Sequence, residues 1–420
     1  MSVTAKIKTV YGQEIIDSRG NPTVEATVVL DDGTGASASV PSGASTGIHE
    51  ALELRDGGNR FDGMGVIKAV GLIKDEICPA LSGISLCQNT IDMRLCELDG
   101  TPDKSQLGAN AILAVSLAAA KAAAQSQNIP LYKYIGGITG KTVPVPMMNV
   151  LNGGAHAKNN LDVQEFMIVP HGFDSFSEAL RAGCEIYHNL GRILSHDGKS
   201  TGVGDEGGFA PDLENEDEAI DYLLEAIRET GYSTEQVKLS LDAAVSEWFD
   251  GEKYIMPKAG GIYSSDELTE KWQKLCERYP IFSIEDGLGE DDFLGWKKMT
   301  EKIGKKVTLV GDDLFVTNIS RLKRGIEMEV ANAILVKPNQ IGTLTETLDV
   351  IKTAKQNGYK TIISHRSGET EDTAIADIAI ATNAGYIKCG APCRTDRVAK
   401  YNRLLRIENQ LSDSAVFGIK

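Results

Sequence analysis

The sequence predicts an α/β protein, with a (β/α)8 TIM-like barrel forming its larger C-terminal part behind a smaller N-terminal α+β domain. Three observations carry that prediction. First, six short apolar runs between Val237 and Gly390 each end in a charged or titratable residue: Asp242, Glu285, Asp312, Lys337, His365 and Lys388. Runs this short and rich in Val, Ile and Leu fit parallel strands buried on both faces. Second, those residues are 43, 27, 25, 28 and 23 positions apart, against about 31 for one βα unit of a barrel. Four steps suit single units, and the step of 43 requires an insertion. Third, strand-like segments followed by a block of helices precede the repeating part, which marks a separate unit.

From the N-terminus, Ile7 to Val40 alternates apolar and polar residues and breaks at Asp17-Ser-Arg-Gly-Asn-Pro and Asp31-Asp-Gly-Thr-Gly, the pattern of a β-meander. Val40-Pro-Ser-Gly-Ala-Ser-Thr-Gly-Ile-His49 follows, a loop of small residues with little to anchor it. The Ala-rich stretch from Gly108 to Gln127 is a helix that ends before Asn128-Ile-Pro130. Gly136-Gly-Ile-Thr-Gly-Lys141 is a linker, dividing the chain into domains 1–137 and 142–420. There is no visible sequence repeat and no low-complexity segment.

Composition narrows the function. The chain is 42% hydrophobic and 24% charged, as a globular protein is, and at 420 residues it has material for two domains. A net charge of −16 opposes unaided binding of nucleic acid or anionic membrane. An anionic substrate therefore needs a locally positive site or a metal. Seven cysteines without a Cys-x-x-Cys pair fit reduced thiols better than a disulfide framework or a zinc site. The start, Met1-Ser-Val-Thr-Ala-Lys-Ile-Lys, has no apolar signal core, and no run is long enough to span a bilayer. These features lead to the expectation of a cytoplasmic enzyme.

Charged residues at the carboxyl ends of barrel strands face the mouth where barrel enzymes work. One such residue would be an ordinary solvated or paired charge, but six in consecutive units are not explained that way. Three carboxylates followed by Lys, His and Lys fit a hard divalent metal beside a cationic, anion-binding wall. Three further stretches add candidates. Asn149-Val-Leu-Asn-Gly-Gly-Ala-His156 with Gln164-Glu165 places a His and a carboxylate near the start of the barrel, and Val203-Gly-Asp-Glu206-Gly-Gly sets an acid among glycines. Alone, each would be a common turn. Ser364-His-Arg366-Ser367-Gly-Glu-Thr370 directly follows a strand, and Arg with Ser and backbone amides grips phosphate well. No G-x-G-x-x-G follows a strand and no Walker motif occurs, so nucleotide binding has no support.

Taken together, and in order, these stretches resemble the enolases over essentially the whole chain. Val40-Pro-Ser-Gly-Ala-Ser-Thr-Gly, Asn152-Gly-Gly-Ala-His, Gln164-Glu-Phe-Met-Ile, Gly204-Asp-Glu-Gly-Gly, Ser283-Ile-Glu-Asp, Gly311-Asp-Asp-Leu, Lys337-Pro-Asn-Gln-Ile-Gly-Thr, Ser364-His-Arg-Ser-Gly-Glu-Thr and Ile387-Lys-Cys-Gly-Ala-Pro carry the resemblance. It implies a modified barrel that opens ββαα before six βα units. The activity it implies is phosphopyruvate hydratase, the reversible dehydration of 2-phosphoglycerate to phosphoenolpyruvate in glycolysis and gluconeogenesis. It further implies two magnesium ions, the second arriving with substrate, and a homodimer or higher homo-oligomer.

By the same resemblance, Asp242, Glu285 and Asp312 bind the tighter magnesium, and Ser42 the substrate-linked one. Lys337 is the base, Glu206 supported by Glu165 the acid, and His365 lies near the leaving group. Arg366 and Ser367 hold phosphate, while His156, Gln164 and Lys388 complete the substrate contacts. The proton beside a carboxylate is weakly acidic because its removal adds charge to that carboxylate, so metals and Lys388 are needed to stabilise the result. Lys337 must be neutral to act. Bringing it from about 10.4 to about 8 corresponds to roughly 3 kcal/mol, and Lys388 and the metals have the right sign to do so. Gly287 and Pro338 depart from common family residues, which bears on loop stiffness and the angle of Lys337. A racemase or cycloisomerase would share the three carboxylates but not the Arg366-Ser367 grip. A binding role, such as plasminogen capture through Lys420 at the cell surface, is a different class that could coexist with catalysis.

Overall fold

The computed structural model describes residues 5–43 and 47–418; Lys420 and residues 44–46 of the small-residue loop lie outside them. Strands β1 (Ile7–Ile16), β2 (Pro22–Leu30) and β3 (Gly35–Ser39) form an antiparallel meander in that order. Along β2, Val24, Ala26, Val28 and Leu30 are buried at every second position, the period of a sheet with one covered face. The cover is α1 (Ala109–Ser126), which packs on β2 and β3. Its alanines are buried nearly all round, and their small side chains let helix and sheet approach closely.

The rest of the chain builds a closed barrel. Its strands are β4 (Val145–Asn152), β5 (Glu165–Pro170), β6 (Val237–Asp242), β7 (Ile281–Glu285), β8 (Thr308–Gly311), β9 (Ala333–Val336), β10 (Lys360–Ser364) and β11 (Tyr386–Lys388). β5 runs antiparallel to both neighbours, β4 and β6, while the remaining pairs are parallel. Helices α2 (Phe176–His196) and α3 (Glu216–Glu229) follow β5, and one helix follows each strand from β6 onward. They are α4 (Ser265–Arg278), α5 (Phe293–Ile303), α6 (Ile319–Met328), α7 (Leu344–Gln356), α8 (Ala374–Ala381) and α9 (Thr395–Leu411). This is the ββαα(βα)6 order.

The long step between Asp242 and Glu285 contains a short hairpin, Tyr254–Ile255 with Ile262–Tyr263, ahead of α4. That is the insertion the spacing required. A capping box at Ser264 and Glu267 then starts α4 at a defined residue. The end of the chain returns to the barrel entry, where Val416–Phe417 pairs in parallel with Thr142–Val143. All seven cysteines are unpaired. Among the described residues no helix is long and apolar enough to cross a membrane.

Candidate active site

Strand register assembles the site. β6 and β7 pair with Asp242 opposite Glu285, and β10 pairs with β11 with Ser364 opposite Lys388, so their terminal side chains share one layer. Because β5 is reversed, its first residue reaches this same end, and Glu165 pairs opposite both Asn152 and Asp242. The Lys388 ammonium lies 2.9 Å from Glu165 Oε2, 3.1 Å from Asp242 Oδ2 and 2.9 Å from Glu285 Oε1. One cation among three buried carboxylates leaves surplus negative charge, which is costly away from water. Burial, with the charge of Glu206 and of Asp242 respectively, therefore pushes the Glu165 and Glu285 carboxyls well above the ordinary range. Burial opposes the charge on Lys388, yet Asp242 first and then Glu165 and Glu285 hold it well above its usual value.

Lys337 follows β9 and pairs its ammonium with Asp312 Oδ2. Gln340 Nε2 donates to the other oxygen of Asp312 at 2.9 Å, and Thr317 Oγ1 links Gln340 Oε1 to the backbone N–H of Lys337. Pro338 opens the short 3₁₀ turn Pro338–Gln340 just after Lys337, a position where a missing N–H costs nothing. It pre-sets the turn rather than distorting the base. Burial lowers the Lys337 pKa most, but the Asp312 and then the Glu285 carboxylates act against it, and the net direction is upward. The depression expected from the sequence rests on Lys388 and the metals; Lys388 acts in that direction here, against the directly paired Asp312. Asp286 accepts the backbone N–H groups of Asp312 and Asp313 at 2.9 and 2.8 Å, which orients Asp312. Asp313 beside it is raised to about 8, by burial first and then by Asp312.

Glu206 and Glu165 form a buried pair with His156, their ligand atoms all within 4.8 Å. Two carboxylates this close resist ionising together and titrate as a unit. Burial disfavours the Glu206 carboxylate, but His365 and then His156 draw it well below the ordinary range. Asn149 Nδ2 donates to Glu206 Oε2 at 2.9 Å, and His365 Nε2 faces the same oxygen at 3.4 Å. Gly390 closes this corner with φ +79°, and a Cβ there would stand 2.7 Å from Glu206 O and 3.1 Å from His365 Cε1. Gly20 has φ +82° with nothing within 4 Å. Gly390→Ala should therefore destabilise the protein by about 2 kcal/mol more than Gly20→Ala, since both share the backbone strain and only one is crowded. Urea unfolding of the two variants checks this, and equal losses would remove the crowding argument.

Arg366 makes a two-pronged ion pair with Glu50, at 2.8 and 3.2 Å, and donates to Asn339 Oδ1 at 3.2 Å. Ser42 stands apart from the expectation of an unanchored loop. Its N–H and C=O pair with Gly368 at 2.7 and 2.9 Å, and its hydroxyl donates to Asp17 Oδ2 at 2.7 Å. Small residues read locally as loose, but Ser42 finds its partners elsewhere in the chain, Asp17 25 positions before it and Gly368 more than 300 after. The turn at Asp17 helps, since Ser18 N–H donates to Glu369 O at 2.7 Å and Arg19 to Gly43 O at 2.9 Å.

One cleft is lined by His156, Gln164, Glu165, Glu206, Asp242, Asp312, Lys337, His365, Arg366, Ser367 and Lys388. Glu285 joins it through Lys388, and Ser42 does not line it. Sequence reasoning missed Glu50, Asn149, Asp286, Thr317, Gln340 and Arg397 as partners. Asn149, Asp286 and Gln340 sat inside or beside the motifs, so a search for polar neighbours of the candidates would have found them. Glu50, Thr317 and Arg397 carry no local signal.

Carboxylates outnumber the ammonium groups among them, and no sulfur faces the cleft within this donor set, which suits a hard, oxygen-seeking cation. Gln164 Oε1, buried and without a hydrogen-bond partner among the described residues, adds an open oxygen acceptor in the same cleft. The chain fits a divalent metal on these grounds.

Comparison with known proteins is consistent with this geometry. Residues 140–420 match the family model described as the C-terminal TIM barrel domain of enolase, and residues 7–135 the one described as the enolase N-terminal domain. An enolase of Natranaerobius thermophilus is 57% identical over 407 residues, spanning 96% of this chain and 95% of that protein. With both parts matched in order, and a closed barrel carrying the acidic and basic strand ends at one mouth, the chain belongs to the enolase family.

Proposed function

We propose that Lys337 and the Glu206–Glu165 pair divide the two proton transfers of this hydro-lyase, which interconverts 2-phosphoglycerate with phosphoenolpyruvate and water. The observation that supports the division best is one cleft lined by a largely buried lysine and a separate buried carboxyl pair. Lys337, neutral and released from Asp312, takes the proton on the carbon beside the substrate carboxylate. Glu206, drawing on the proton held with Glu165, gives one to the departing hydroxide. Lys388 sets a fixed positive charge against the substrate carboxylate, where negative charge grows. Arg366 and Ser367 hold the phosphate, for which the Arg366 fork must trade its bond to Glu50. His156 and Gln164 complete the substrate contacts, and His365 supports Glu206.

The reaction uses a divalent metal, which we assign as magnesium held by Asp242, Glu285 and Asp312; when bound it supplies positive charge toward the substrate carboxylate. Ser42, the residue assigned to a second magnesium that comes with substrate, must turn its hydroxyl from Asp17 to serve it. We further assign residues 1–137 and 142–420 as the two domains, supported by family matches that end at 135 and resume at 140. A cytoplasmic homodimer or higher homo-oligomer completes the assignment; the unpaired cysteines agree with a reducing compartment.

Formation of phosphoenolpyruvate, followed by its ultraviolet absorbance, tests the metal assignment. Excess chelator should abolish turnover and magnesium restore it. Asp312→Asn should raise the magnesium requirement at least ~10-fold, because a neutral amide binds a hard cation more weakly than a carboxylate. Undiminished turnover in chelator would contradict the assignment.

A further inference from the structure

Arg397, the third residue of α9, is a fully buried guanidinium that the reaction as described leaves without a task. Its Nη1 donates to Arg366 O and lies against His365 Nδ1. Its Nη2 donates to Ser367 O at 2.5 Å and Asp205 O at 3.3 Å, and its Nε lies 2.7 Å from Asp396 Oδ2. It therefore ties the backbone of the phosphate-gripping segment to the loop that carries Glu206. A guanidinium has donors and no acceptor. The bond to His365 Nδ1 requires a lone pair on that nitrogen, so the ring is not an imidazolium and its one proton is on Nε2. Nε2 faces Glu206 Oε2 at 3.4 Å, the oxygen that also accepts from Asn149. With Oε2 bonded by Asn149 and faced by His365, Oε1 is left to exchange a proton; it lies on the side of His156, 3.9 Å from Nδ1.

We propose that Arg397 is a positioning residue that fixes His365 as the neutral Nε2–H tautomer and thereby fixes which oxygen of Glu206 handles the proton; the second half rests on Glu206 being the acid. Burial agrees with a neutral ring, since it pushes His365 down to about 4, with Arg397 acting in the same direction against Glu206. The other tautomer would turn a lone pair onto the Glu206 carboxylate. The corner has no room for a substitute arrangement, because a Cβ on Gly390 would already lie 3.0 Å from Arg397 Cδ.

The test is nitrogen-15 NMR of histidine-labelled full-length protein at neutral pH, with the His365 ring assigned from its loss in His365→Gln. The wild type should show Nδ1 as the unprotonated nitrogen and Nε2 as the protonated one. Arg397→Met should lose that single state, and its rate of elimination should fall by the order of 10²-fold while exchange of the substrate α-proton persists. Arg397→Lys, which keeps a cationic donor, should recover the tautomer and at least ~10-fold of the lost rate. If Arg397→Met does not fold, the wild-type spectrum and Arg397→Lys decide. A wild-type ring that is cationic or protonated on Nδ1 overturns the proposal. So does an Arg397 variant in which exchange and elimination fall together, the mark of a merely structural role. Full elimination in Glu206→Gln beside an Nε2–H ring would instead sink the acid assignment and leave Arg397's hold on His365 standing.

Discussion

Lys337→Ala is expected to lose both the exchange of the substrate α-proton with solvent and the formation of phosphoenolpyruvate. No other amine in the cleft is free to substitute, because Lys388 is bound to Glu165, Asp242 and Glu285. Loss of a general base costs ~10²–10⁴-fold, and the top of that range fits a proton as weakly acidic as this one. The variant also leaves Asp312 without its partner, and breaking a buried ion pair costs about 3–5 kcal/mol. Gln340 still donates to Asp312, which limits that loss. Urea unfolding alongside the assay separates the two effects: a folded, inactive variant is expected. Retained exchange in folded Lys337→Ala would remove Lys337 as the base.

Glu206→Gln is expected to behave differently. The amide keeps the size of the side chain and can still accept at its oxygen from Asn149, beside His365, but it has no acidic proton to give. Phosphoenolpyruvate formation should fall by ~10²–10⁴-fold. Exchange of the α-proton should persist, since Lys337 and its partners Asp312, Thr317 and Gln340 are untouched. Removing the charge of Glu206 also removes a cause of the raised Glu165 carboxyl, so Glu165 should ionise at lower pH in this variant. Carboxyl-selective infrared titration reads that shift, with an unchanged Glu165 as the contrary result.

The barrel was legible because each parallel strand is a short apolar run that stops at a polar residue, and that boundary is also the barrel's mouth. The same boundary gave Asp242, Glu285, Asp312, Lys337, His365 and Lys388 without any structure. The ββαα opening was not readable from periodicity and came from the family resemblance alone, and that β5 runs reversed is seen only in the fold. Its consequence is that Glu165 enters the site from a strand's beginning rather than its end. Ser42 was misjudged as unanchored because its partners, Gly368 and Asp17, belong to other parts of the sequence. The counter-charge beside Lys337 was not legible for a related reason: a residue type fixes what can titrate, while the nearest partner, here Asp312, is set by the fold. Arg397 shows the limit most clearly. On a helix it reads as one more solvated charge, and only the fold shows that it is buried against His365.

The central claim is that base and acid are separate groups serving separate steps. The most direct measurement is proton NMR of 2-phosphoglycerate in deuterated water with magnesium, comparing Glu206→Gln with Lys337→Ala. The α-proton signal should disappear with Glu206→Gln while little phosphoenolpyruvate forms, and it should stay intact with Lys337→Ala. Loss of the signal with Lys337→Ala and its retention with Glu206→Gln would contradict the account, because the two roles would then be reversed.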